Sequence, residues 1–160
     1  REYLYRGMFQ KAAEELKRHL TLPSAVWDEE RAASMRYLSA CMHALGDERS
    51  AMCWAMRAIA EVPEQRENWY EAEKAAYHAE NWEGAVYYGR KALRITAKSR
   101  SAINEAEAWG AAPCDLLSLG LWHTGDIRGA AEAASTALSL CRSERIEANL
   151  RLFQERLGEA

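Results

Sequence analysis

The side chains able to do chemistry are few in this chain of 160 residues, and they are scattered. None of its four histidines (His19, His43, His78, His123) has another three or four places on, the spacing that would set two imidazoles on one helix face for a metal ion. The aspartates Asp28, Asp47, Asp115 and Asp126 form no DxD pair. The glycine-rich phosphate cradles GxGxxG and GxxxxGK[ST], the nucleophile elbow GxSxG and the zinc motif HExxH are all absent. Catalysis would need His43, Lys74, Asp115 and His123 to converge, since no other titratable set is available. The expectation is a non-catalytic chain with no cofactor and no metal. Glutamates beside Lys and Arg at helical intervals read as solvated helix faces.

The six tryptophans (Trp27, Trp54, Trp69, Trp82, Trp109, Trp122) and seven tyrosines could instead form contact surfaces. Of these, Trp69 and Trp82 fall where residues pack between helices. The cysteines Cys41, Cys53, Cys114 and Cys141 are irregularly spaced, without a CxxC pair. Each sits in an apolar helical pattern, so reduced thiols in a cytoplasmic protein are expected. With 49% apolar and 28% charged residues, nine Gly and three Pro, the chain suits a helical domain. Its net charge is −3 with Lys and Arg spread throughout, which leaves no basic stripe for nucleic acid. No apolar run reaches the roughly 20 residues of a membrane span. The chain opens at Arg1 rather than Met, so a fragment of a longer protein is expected.

The elements that must position these residues repeat. The pattern Gly46-Asp47, Ala51, Ala55, Ala58, Ile59 returns about 34 residues on as Asn81-Trp82, Ala85, Gly89, Ala92, Leu93. About 45 further on it returns as Gly125-Asp126, Ala130, Ala134, Ala137, Leu138. A fainter copy is Gly7, Phe9, Ala12, Leu16, Leu20. Small residues at these intervals make one close-packing helix face. Asp47, Asn81 and Asp126 occupy the same N-cap place, where the first copy has Met8 and lacks a cap. Ahead of each capped helix runs another amphipathic stretch, in Trp27 to Leu45, Glu64 to Glu80 and Pro113 to Thr124.

A helix, tight turn and helix in about 34 residues resembles the tetratricopeptide repeat (TPR). Trp69 matches its early Trp, Gly46 and Gly125 its turn glycine, and Phe9 and Trp82 its aromatic. Ala12, Ala51, Ala85 and Ala130 match its small packing residue, and Pro63 its closing Pro. The resemblance implies an all-α, right-handed TPR-like solenoid of antiparallel helix pairs. Its parts are a partial repeat at 1–23, repeats at about 32–65, 66–99 and 111–144, and a capping helix at 144–158. A surplus segment at 99–110, rich in helix formers, is expected to add a turn or two of helix.

In this fold the first helix of each pair lines a concave surface. The places that point inward carry Arg36 and His43, then Tyr70, Lys74 and Tyr77, then Asp115, Leu119 and Trp122. These eight residues are the expected partner-binding groove, although Tyr77 and Trp122 could equally pack on neighbouring helices or on the final one. The Asn and Lys clamp of chaperone-tail-binding TPR grooves is replaced by Ala40, Tyr37 and Glu71, which disfavours that partner.

The succession Pro63 to Trp69, Lys91 to Ile95, Trp109-Gly110, Pro113 to Leu117 and Gly125-Asp126 resembles the helical C-terminal region of some bacterial family-2 glycosyltransferases. Cys114 departs from it, standing where an aromatic residue is expected, and no donor-sugar or metal-binding element is present. The resemblance implies an interaction or oligomerisation module following a catalytic domain. Its partner would be a protein or peptide, that parent domain, or a second copy, in the cytoplasm or peripherally at the inner membrane. The alternative is a free-standing peptide-binding adaptor.

Overall fold

The computed structural model describes residues 2–100 and 103–158. Among these it is helical without strands: α1 (Glu2–Tyr5), α2 (Phe9–Thr21), α3 (Asp28–Ala44), α4 (Glu48–Glu61), α5 (Arg66–His78), α6 (Trp82–Arg94), α7 (Ala112–His123), α8 (Ile127–Leu140) and α9 (Glu144–Gly158). One turn of 3-10 helix, Ala106–Trp109, precedes α7.

One turn design closes four helix pairs. The N–H groups of Met8, Asp47, Asn81 and Asp126 donate to the carbonyls of Tyr3, Met42, Ala76 and Leu121, so each first helix ends in the same reversal. This reversal needs a left-handed residue, supplied by Gly46 at φ 79° and Gly125 at φ 87°. Between α5 and α6 the place falls to Glu80, at φ 54°. The next helix is capped in three of the four cases: Asp47, Asn81 and Asp126 accept from the N–H of Ser50, Gly84 and Gly129. Met8 makes no such bond, and α2 begins uncapped.

Packing follows the small residues. Ala51, Ala55, Ala58, Ala85, Ala92, Ala130, Ala134 and Ala137 are fully buried, which lets each second helix lie close to its neighbours. Successive helices pack in order, and the first helices α3, α5 and α7 also touch one another, with no comparable packing among α4, α6 and α8 in the described residues. The α3–α5–α7 row is therefore the inner side of the curve. Helix α9 buries Ile146 and Phe153 against α7 and α8 and closes one end.

The surplus segment adds a single helical turn, Ala106–Trp109, of 3-10 type; beyond α6 it is otherwise irregular through residue 105, except for Ser101 and Ala102, which lie outside the described residues. Glu105 just before that turn, and Glu107 and Trp109 within it, each meet a different residue of α3 or α5. The cysteines also divide. Burial pushes the Cys41 and Cys114 thiols up, whereas Cys53 and Cys141 lie exposed.

Candidate functional site

The inner face has two halves, one at the N-terminal ends of α3, α5 and α7 and one at their C-terminal ends. Over the first half lie Ser99 and residues 103–109. Ser99 donates to Glu29 of α3 at 2.8 Å, and Ile103 lines a hollow of about 380 Å³ together with Leu16, Ala33 and Tyr37. Glu105 then meets Arg36 at 2.9 Å. Glu107 stands against the Tyr70 phenol, and the Trp109 indole N–H donates to Glu67 at 2.7 Å with the Arg66 guanidinium 4.8 Å over its ring.

Beneath this cover the charges are interior. The Arg36 side chain is 1% exposed and also donates to Asn68 Oδ1 at 2.6 Å, while the Asn68 amide donates to the carbonyls of Ala58 and Val62 at the end of α4. Tyr70 is buried, and burial together with Glu107 pushes its phenol far up. Lys74 sits 2.7 Å from Glu71. Burial acts to lower its pKa, but Glu71, Glu105 and Glu107 outweigh that and hold the ammonium charged.

The second half is open and built of rings. His43 stacks on His78 with centroids 3.8 Å apart and planes 16° apart, and His43 Nδ1 lies 2.6 Å from Glu48. Burial and the neighbouring His43 lower the pKa of His78. Tyr77 sets its edge to His78 and to Trp82, and Trp82 stacks on His123 at 3.9 Å. Leu119 is half-buried beyond them on α7.

Of the eight residues expected to line a groove, His43, Lys74, Tyr77 and Leu119 retain partial exposure on this face. Arg36, Tyr70 and Asp115 do not line an open surface. The first two are sealed beneath residues 105–109, and the Asp115 carboxylate, also buried, is taken by Arg145 of α9. Trp122 stacks on Phe153 at 4.9 Å, so its ring serves the contact with the final helix. The groove reading missed His78, although α3, α5 and α7 all carry a histidine in their last turn. It also missed Glu105, Glu107 and Trp109, which come from the surplus segment and not from a repeat.

Two solved structures of MamA, a TPR-type helical protein, superpose on this chain. One does so with a TM-score of 0.77 at 16% identity, covering 98% of this chain and 83% of that one. The other, MamA MSR-1 C2, gives 0.73 at 15% identity, covering 98% and 82%. The fold is a TPR-like α-solenoid. No family model matches the sequence, and no curated protein matches it either. At these identities the likeness is one of architecture, and the solenoid's partner must be argued from its own surface.

Proposed function

We propose that this solenoid is a non-catalytic scaffold that holds a protein partner on the ring-lined half of its inner face. The observation carrying this reading is the stacked His43–His78 pair beside Tyr77, partly exposed on a face whose other half is already covered. Large rigid rings with polar edges are the groups that dominate protein contacts. Arg36, Lys74 and Asp115 are engaged by Glu105, Glu71 and Arg145, which supports a framework rather than an acid–base site.

The test is selection of a displayed peptide library on the wild-type chain, repeated on Tyr77→Ala and His43→Ala. Enrichment lost in both variants at unchanged helicity supports the assignment, and equal enrichment overturns it. Trp122→Ala is unsuited to this purpose, because removing the stack on Phe153 would loosen α9.

The finer reading attaches the scaffold to a bacterial glycosyltransferase, with the parent catalytic domain or its acceptor as the partner on the cytoplasmic side. Its support is the resemblance of the segments from Pro63 to Asp126. An upstream reading frame encoding a DxD-containing α/β domain would sustain it, and a start codon next to Arg1 would favour the free-standing adaptor.

A further inference from the structure

The outer side of the solenoid carries two grooves in the same register, and only one is filled. Counting from the caps Asn81 and Asp126, the residues Gly84, Tyr87, Tyr88 and Lys91 of α6 correspond to Gly129, Glu132, Ala133 and Thr136 of α8. In the groove between α4 and α6, Tyr88 reaches across to Met56, its hydroxyl 3.3 Å from the sulfur. Trp69 lies under both tyrosines at about 6.5 Å, and the Lys91 ammonium sits over Trp69 and Tyr87.

Between α6 and α8 nothing plays that part. Ala133 stands where Tyr88 would, and a hollow of about 270 Å³ remains, floored by Leu93, Cys114, Leu117 and Leu121. It adjoins a second hollow of about 440 Å³ along α6, and Arg90 belongs to both. The α6 rim carries Arg90, Lys91 and Arg94 on a chain whose net charge is −3. The acids nearby are Glu83, Glu132 and Asp126, the last 3.7 Å from Arg90 with both side chains about half exposed.

We propose that the groove between α6 and α8 docks an acidic segment of a partner protein, one bulky apolar side chain seated over Leu117 and Leu121 and its carboxylates against Arg90 and Arg94. An apolar floor under a cationic rim selects for both features at once, since an apolar anchor supplies affinity and the charges supply steering and register. Nucleic acid would meet the rim but offer nothing for the floor. The site lies on the opposite side of α7 from the ring-lined face, so occupancy of one does not require the other.

The probe is a short synthetic peptide with a central Phe flanked on both sides by Glu, followed by fluorescence anisotropy at low salt. Saturable binding is expected, weakened roughly tenfold by Arg94→Glu and further by adding Arg90→Glu. Arg94→Glu alone spares the contact with the cap at Asp126. Ala133→Tyr, which supplies on α8 the ring that Tyr88 supplies on α6, should abolish binding, as should Phe→Ala in the peptide. Tyr77→Ala should leave it unchanged, which separates this site from the inner face. No saturable binding, equal affinity for a Lys-flanked peptide, or indifference to Ala133→Tyr would overturn the proposal. So would a change in the sedimentation of the chain alone on Arg94→Glu, which would give the groove to a second copy.

Discussion

The two halves of the inner face present equivalent helix positions with opposite outcomes. Where α3 and α5 begin, the inward side chains are sealed, and the Arg36 side chain is 1% exposed. Where they end, the His43 side chain is 42% exposed: its Nδ1 meets Glu48 of α4, and its ring face stacks on His78 without a covering segment. The helices do not make this difference, since both positions lie on the same face of α3. It comes from residues 103–109, which deliver Glu105, Glu107 and Trp109 to the first half and stop there. A groove position thus becomes interior where the chain lays a further segment over it, and remains surface where it does not.

The sharpest way to break this comparison is to remove what the segment delivers. Glu105→Ala leaves the Arg36 guanidinium buried with only the neutral oxygens of Asn68 and Gln65, and should cost about 3 kcal/mol in urea unfolding. Arg36→Ala should cost a similar amount, and the double variant much less than the sum, because the pair acts as a unit. Amide exchange should speed up in residues 103–109 and along the inner side of α3. A loss below about 0.5 kcal/mol would reduce the segment to a surface loop and dissolve the contrast between the halves.

A smaller effect is expected at Glu73, the interior charge on α5 that the segment does not reach. Both its carboxylate oxygens are buried without a hydrogen-bond partner, packed so closely on α6 that a Cβ at Gly89 would collide with them. Burial pushes this carboxyl well above the ordinary 4.5, with Arg66 drawing it back in part and Asp115 adding to the rise. The folded protein thus holds a proton that the unfolded chain releases. Its stabilising share is complete below about pH 4.5 and is lost as pH rises toward the folded-state value. Glu73→Gln should flatten that part of the pH–stability curve and raise the urea midpoint at neutral pH. The gain is limited, because the glutamine amide would also lack a partner. An unchanged slope would show that Glu73 holds no proton in the fold beyond what it holds in the unfolded chain.

The helix pairs were legible in the sequence because their causes are local. Ala51, Ala85 and Ala130 mark close approaches, and Asp47, Asn81 and Asp126 mark helix starts, through forces that act within a few residues. The fate of the groove residues was not legible, because it depends on contacts distant in sequence. Arg36 meets Glu105 across 69 positions, and Asp115 meets Arg145 across 30. Helix propensity at 99–110 foretold the turn Ala106–Trp109, but not that Glu105, Glu107 and Trp109 would reach Arg36, Tyr70 and Glu67.

The smallest effect tests the open half by itself. His78 is pushed down chiefly by burial and next by His43, with Lys74 acting the same way and Glu48 and Glu71 opposing. A lowered imidazole favours the neutral ring in the fold, so its stabilising share is present above about pH 6.5 and is lost as pH falls toward the folded-state value. His43→Ala removes both the stacked cover and the like charge, and both changes move His78 upward. Proton NMR of the histidine rings should therefore show His78 titrating at higher pH in the variant, while the urea midpoint at neutral pH shifts by about 0.5 kcal/mol or less. A His78 titration that ignores the substitution would mean that the two rings part in solution. The open half would then be a set of independent side chains rather than a preformed contact surface, and the ordering of a partner would have to come from the partner.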